Sequence, residues 1–479
     1  MYIPETLQLS EADFRFLQCF SPFQGAVNLG ETLIAAYFRE LKRFKAFRNL
    51  PFDKFPALAK RLSDAGVWTK LPAYPDTAMM RINPALHLYL GARRNSLLST
   101  EHTQIEKAYV RFYRWMGGNL YELHTYLAPD DRQDNLDFIG LEIFNLYNAL
   151  QLALKHRIYD FTFILLPVNA YLGALYRHQE WYELVLNMKS QLEAVPPQQR
   201  DEHAWYSLVH LHDTLGAARL RSEQFAEAEK WYRKAINIFK ASGQDTQYPQ
   251  AYRGLYQSLA AVTAYQEKWK ESSQFYVKMR RVAEQFDDQE GLADYFLNNG
   301  VNLMQQKKYA AAARHLKKAI PIFQELKLSE PTGMAYLHLG TVQIHLLHFN
   351  ESAVNLDRAE TIFQALQNSF RLADVWDTRC LLFLKKRHYK QALQAAAQAL
   401  EIHTRNGQLR DAGISFQNMG VAAIGLQMPG EAVDYLWQAA QIFEKTGDIA
   451  RQQLLAEILE KTKDSIGNLS LESIPNFNL

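Results

Sequence analysis

The chain has 479 residues, 48% of them hydrophobic and 22% charged, with 53 Lys and Arg against 51 Asp and Glu. At roughly 150 residues per folding unit this length allows about three units with sizeable cores, and an aromatic content of 13% excludes general disorder. A net charge of +2 excludes an acidic tail protein or a polybasic nucleic-acid coat, although local asymmetry can hide inside a balanced total.

From the N-terminus, MYIPETLQLSEADF lacks the basic start and apolar run of a secretory signal. Residues 10–20, 30–47 and 54–66 read as helices, VWTKLPAYPDTAMMRI as two short strands around a Pro-containing turn, and a further helix opens near Pro84. Three helices followed by a hairpin make a winged-helix pattern over residues 1–100. The segments FRFLQCFSPFQGAVNL, FPALAKRLSDAGVW and MMRINPALHLYLGAR resemble the winged-helix domain that lies between the nucleotide-binding core and the sensor repeats of STAND signal-transducing ATPases. NLYNALQLAL at 145–154 is similar to the helix that opens the repeat region in those proteins.

That resemblance places Asn83-Pro84 where many members carry His-Pro, the His being a nucleotide-phosphate contact. The sequence has no G-x-x-x-x-G-K-[ST] phosphate cradle and no Gly-Lys pair. An ATPase core is therefore expected outside this chain, in a longer protein or in another chain, or not at all. Residues 1–100 hold 13 Lys and Arg against 8 Asp and Glu, with Arg39, Lys42, Arg43, Lys45 and Arg48 clustered. That sign also fits a winged-helix transcription regulator with Phe55 to Val67 as the helix entering the major groove. Against it, FPALAKRL is mostly apolar where base-reading residues are wanted, so DNA is the weaker alternative.

Residues 101–200 read as a helical linker with degenerate first repeats. Gly117-Gly118 reads as a helix break, and Leu141 to Leu166 as a helical pair without a repeat signature. The longest apolar stretch, Phe161 to Tyr176, is interrupted by Pro167 and Asn169 and falls short of the ~20 residues that span a bilayer. No membrane partner is expected, and a cytoplasmic location is.

Beyond residue 200 one pattern recurs: a small residue, nine residues to an aromatic, three to Ala or Ser, then Ala seven further on. Gly216, Phe225, Ala228 and Ala235 make one copy, and Gly300, Tyr309, Ala312 and Ala319 another. The aromatic positions fall at 225, 269, 309, 349, 389 and 429, a step of 40 after the first interval. Two antiparallel helices per unit, with small residues where they approach closely, make a helical-hairpin solenoid. A weaker copy contains Trp181. Polar links fall at 243–247, 286–291, 326–333 and 446–448, Pro429-Gly430 fits a tight turn, and residues 464–479 read as a C-terminal tail.

These residues resemble the tetratricopeptide repeat (TPR) in its longer variant of about 40 residues, over 201–463. The departures are Cys380 and Ala260 where Gly is usual, and Pro429 where an aromatic is expected. The fold expected is mainly α, a TPR-type helical-hairpin superhelix preceded by a small winged-helix domain. In resemblance to other TPR arrays, positions two, five and thirteen of each unit point into the concave groove. That implies His210, Asp213, Arg221, Gln257, Tyr265, Asp294, Gln305, His345, Asp377 and Lys385 as ligand-binding residues. Asp374, Leu297, Met334 and Leu337 lie at the same positions.

The residues themselves offer little chemistry. His338 and His345 are seven apart rather than four, and neither an H-E-x-x-H nor a G-x-S-x-G motif occurs. Cys19 and Cys380 make neither a disulfide framework nor a zinc site and read as packed thiols in a reducing compartment. No enzyme, cofactor or metal is expected. The expected function is that of a non-catalytic sensor or docking protein gripping a peptide or protein ligand in a signalling or regulatory assembly, with a passive assembly scaffold as a further alternative.

Overall fold

The computed structural model describes residues 9–71, 78–83, 86, 99–126, 132–175 and 177–462. The chain divides into two compact units, one reaching Gln247 and the other beginning at Tyr248.

In the first unit α1 (Glu11–Cys19) starts on a capping box, the Ser10 hydroxyl accepting from the Asp13 amide while the Asp13 carboxylate accepts from the Ser10 amide. Strand β1 (Ala26–Asn28) follows, then α2 (Glu31–Lys42), α3 (Phe55–Asp64), β2 (Trp68–Lys70) and β3 (Met79–Ile82). The sheet is antiparallel in the order β1-β3-β2, with Val27 opposite Met80 and Thr69 opposite Arg81. The hairpin expected from the sequence is present. Its third strand, β1, carries only three residues, too short for an alternating pattern to be read. Helix α2 is shorter than the expected 30–47, its end giving way to a 3-10 turn at Lys45–Phe47. The helix expected near Pro84, apart from Leu86, and the tail of 464–479 lie outside the described residues.

Aromatic side chains fill the centre of this module. Phe20 stacks on Phe55 with centroids 5.3 Å apart, and Phe23 meets Tyr109 edge-on at 4.9 Å. Tyr109 belongs to α4 (Ser99–Tyr126), so the small module shares one continuous core with the helices after it. Those are α5 (Arg132–Lys155), α6 (Thr162–Ala174), α7 (His178–Glu193), α8 (Glu202–Arg221) and α9 (Phe225–Ser242). Gly117 and Gly118 do not break α4. A Cβ on Gly117 would lie 2.3 Å from the Phe163 carbonyl oxygen, so the glycine serves close helix contact with α6 rather than a turn.

The NLYNAL segment of α5 ties the module down. Asn145 donates to the Ala26 carbonyl at 2.7 Å and accepts from the Gln24 amide at 2.6 Å, and Asn148 donates to the Pro22 carbonyl at 2.6 Å. Beside them the Glu142 carboxylate accepts from Tyr113 at 2.7 Å and from Asn145 at 2.8 Å. Burial pushes Glu142 up to about 7, against the pull of those two donors. The folded state therefore binds a proton that the unfolded chain releases near 4.5, and the stability this confers is lost as pH rises from about 4.5 through 7. Urea unfolding should show a loss of about 3 kcal/mol between pH 5 and 8 from this group, and Glu142→Gln should remove that slope.

The second unit is a run of hairpins: α10 (Pro249–Tyr265) with α11 (Trp269–Gln285), α12 (Gln289–Gln305) with α13 (Tyr309–Glu325), and α14 (Ser329–His345) with α15 (Phe349–Ala365). Then come α16 (Ser369–Lys385) with α17 (Tyr389–Arg405), α18 (Leu409–Gly425) with α19 (Pro429–Thr446), and α20 (Ile449–Thr462). Pro429 is the first helical residue of α19, where its missing N–H costs nothing, rather than part of a turn.

Helix ends recur every twenty residues, each on a left-handed residue: Glu267, Asp287, Lys307, Lys327, Leu347, Gln367, Arg387, Gly407, Gln427 and Gly447. The hydrogen bonds at Lys307 (to Met304) and Lys308 (to Leu303) form a Schellman motif at 2.8 and 2.9 Å, and the same pair recurs at Leu347 and His348. Glycine occupies only two of the ten positions; the links at 286–291, 326–333 and 446–448 are announced by composition, and the turns at Glu267, Lys307, Leu347, Arg387 and Gln427 are not.

The small repeat residue meets the residue sixteen further on. A Cβ at Gly300 would lie 2.9 Å from Leu316, at Gly340 3.0 Å from Leu356, and at Gly420 2.7 Å from Leu436. Cys380 departs from glycine, and the residue sixteen beyond it is Ala396, so the volume given up by the second helix accommodates the thiol. Both are fully buried, and burial raises the Cys380 pKa far above the usual thiol range.

Candidate partner-binding groove

In the second unit the first helices of successive hairpins, α10, α12, α14, α16 and α18, approach one another. No pair of successive second helices packs as closely among the described residues. The first helices therefore lie on the inside of the curve, and the face they show there is the groove of that unit. Positions 334, 338, 341 and 345 of α14 follow one face at helical spacing, while Tyr336 and Gln343 turn toward second helices: Tyr336 accepts from Gln324 at 3.2 Å, and Gln343 donates to Glu351 at 2.8 Å.

The sequence-named residues of this unit divide into two sets. Gln257, Gln305 and Lys385 make no hydrogen bond or ion pair among the described residues, and Tyr265 is 58% exposed. Half-buried His345 stacks on Tyr309 with centroids 4.4 Å apart and planes 5° from parallel. Burial, with Lys385 and Lys307 nearby, lowers its pKa.

Asp294 and Asp377 are engaged inside the fold. Arg253, 9% exposed, bridges Asp288 through Nε and Asp294 through Nη1, both at 3.0 Å. Asp288 also caps α12 by accepting from the Gly291 amide, so this fork ties α10 to the start of the next hairpin. Asp377 accepts from His403 at 2.9 Å and from Ser415 at 3.4 Å, joining α16 to α17 and to α18. His403 is 1% exposed; burial alone would lower its pKa, and the Asp377 carboxylate raises it. Asp374 pairs with Arg371 at 3.0 Å.

His338 of α14 was missed, because it sits at position six rather than five. It is half-buried with no hydrogen bond among the described residues, and burial with Arg371 lowers its pKa to about 4. At neutral pH it is an uncharged ring with both a donor and an acceptor. Gln417 of α18 likewise leaves its side-chain oxygen buried without a partner. A reading by helix face would have found His338, and the position rule carried into the last unit would have found Gln417, which stands at position five.

In the first unit His210, Asp213 and Arg221 all lie on α8. Burial lowers His210 to about 4 and raises Asp213 to about 6, and His210 Nε2 has no partner among the described residues. Arg221 sits over the Trp181 ring at 5.2 Å.

Known structures share this architecture. One is a signal transduction ATPase with numerous domains (STAND) protein with a tetratricopeptide repeat sensor from Pyrococcus horikoshii. It is 12% identical, with a TM-score of 0.57, over 95% of this chain and 63% of that one. The fold is that of a TPR protein. The apo form of the quorum sensor NprR from B. thuringiensis is also similar, at 14% identity and a TM-score of 0.52, covering 75% of this chain and 92% of that one. This TPR chain thus spans less than two thirds of the P. horikoshii protein. No family model and no curated protein matches the sequence.

Two further observations bear on partners of the TPR chain. No helix among the described residues is long and apolar enough to cross a membrane, and no group of three or more His, Cys, Asp or Glu among them could hold a metal ion. The basic cluster of residues 39–48 is exposed, and three of its members make contacts within the fold: Arg43 pairs with Glu40 at 3.0 Å, Arg39 lies over Trp115 and Lys42 over Phe52. The exposed face of α3 offers Pro56, Ala57, Lys60 and Arg61, and Arg61 is paired with Asp13 at 3.1 Å.

Proposed function

We propose that this chain is a non-catalytic TPR sensor or docking protein whose second unit binds an extended peptide or protein segment along the groove of its first helices. The observation that carries this is the set of unused polar groups on that face, Gln257, Gln305, His338 and Lys385, interleaved with the partly exposed Leu297 and Met334, while Leu337 at the same positions is buried. Amides and a neutral imidazole can each donate to and accept from a peptide backbone, and the apolar residues supply anchoring area. The TPR sensor of the P. horikoshii protein and the quorum sensor NprR place sensing by this fold among known uses. On the same reading α1 to β3, ordered α-β-α-α-β-β, form a winged-helix module, whose natural partner is a nucleotide-binding core in the same or another chain rather than DNA.

The test is affinity capture from the chain's own cytosol, beside the variant Gln257→Ala, Gln305→Ala, His338→Ala, Lys385→Ala. None of these four makes a hydrogen bond or ion pair among the described residues, so the variant should keep its helical circular dichroism and thermal midpoint. Loss of a specific protein from the folded variant is the expected result. Retention of every partner would overturn the proposal, and recovery of DNA alone would favour the transcription regulator.

A further inference from the structure

Outside the groove, α11 and the turn between α12 and α13 line an open trough of about 740 Å³. Four cations line it, Lys270, Lys278 and Arg281 from α11 and Lys308 just before α13, and no carboxylate does. All four are exposed, and none is ion-paired among the described residues. Lys270, Gln274, Lys278 and Arg281 fall at i, i+4, i+8 and i+11, one face of the helix over about 16 Å. A concentration of unpaired like charge on one helix face costs self-repulsion unless an anion relieves it.

We propose that this trough is a second docking site, which takes an acidic peptide segment of a partner protein. The rest of the lining favours a peptide over nucleic acid. Val277 is 40% exposed and Trp269 is half-buried at one end, a place for one apolar side chain between carboxylates. Gln274 offers an acceptor as well as donors, which a peptide backbone can use and a phosphodiester cannot, while the Gln306 oxygen accepts from Lys308 at 2.7 Å. The site lies on α11 and the turn before α13 and shares no residue with the groove proposed above.

The test uses the full chain and a fluorescein-labelled octapeptide, Glu-Glu-Leu-Asp-Glu-Phe-Asp-Glu, followed by anisotropy. The expected dissociation constant is about 10 μM at low salt, weakening as salt rises. Lys270→Glu with Lys278→Glu and Arg281→Glu should weaken binding at least about tenfold, and the three Gln replacements should fall between. The groove variant of Gln257, Gln305, His338 and Lys385 should bind the octapeptide as the native chain does. Three results would overturn the proposal: no binding up to about 1 mM, equal binding by the charge-reversed chain, or tighter binding of a thymidine oligonucleotide through the same three cations.

Discussion

Replacing Gly420 by Cys is expected to destabilise the second unit by about 2 kcal/mol, and pairing it with Leu436→Ala should return part of that loss. The added Cβ would lie 2.7 Å from Leu436 Cγ and Cδ2. Leu436 is fully buried, so its side chain has no free space into which it can turn. Overpacking of this kind forces helices apart or side chains off their rotamers. Leu436→Ala alone leaves a cavity, and should cost about 3 kcal/mol. Combined, the two reproduce the Cys and Ala that the chain already holds at 380 and 396, sixteen residues apart in the same register. The double variant should therefore lose at least about 1 kcal/mol less than the two singles added together. Urea midpoints of the four proteins measure this, and strict additivity would show that the two positions do not share one space.

The second large effect concerns Asp377→Ala. His403 would keep its burial and lose the carboxylate that holds its charge, and breaking a buried pair from one side costs about 3 kcal/mol. Ser415 would lose its acceptor as well. Because Asp377 raises His403, the pair stabilises the fold below the ordinary His range near 6.5, and that contribution is lost as pH rises through the folded value. The variant should thus be weakened most at pH 5 to 6 and approach the native chain at higher pH. A loss that is the same at pH 5.5 and pH 9 would assign Asp377 to packing alone. The consequence for function is direct: a binding defect in this variant would report a loosened joint between α16, α17 and α18 rather than a lost ligand contact. Asp294 carries the same caution through Arg253.

The regular part of the fold is legible because one spatial requirement is imposed on every unit. Where two helices must touch, a small residue recurs every 40 positions, and the aromatic nine residues on recurs with it. The links at 286–291, 326–333 and 446–448 were visible in composition. The turns inside the hairpins escaped it because their left-handed positions are held by Glu, Lys, Leu, Arg and Gln, stabilised by Schellman hydrogen bonds rather than by glycine. Strand β1 escaped because its three residues are fixed by pairing with β3, fifty residues away. Gly117-Gly118 misled for a related reason: a glycine pair reads as a break unless the backbone of α6 that presses on it is known. At the groove, position rules could not see partners on neighbouring helices. Arg253 claims Asp294 and His403 claims Asp377, whereas His338 lies one position off the rule. Local pattern thus carries the architecture, and side-chain chemistry waits on the packing between units.

The central claim, that a partner runs along the first helices of the second unit, is tested most directly by site-specific photo-crosslinking. A benzophenone amino acid at Gln305, on the groove face of α12, is compared with one at Glu325, at the end of α13, both in the full chain exposed to a lysate of its own cells. The account predicts one specific protein or peptide adduct from position 305 and none of that species from 325. The same adduct from 325 with none from 305 would contradict it and place the partner on the outer face.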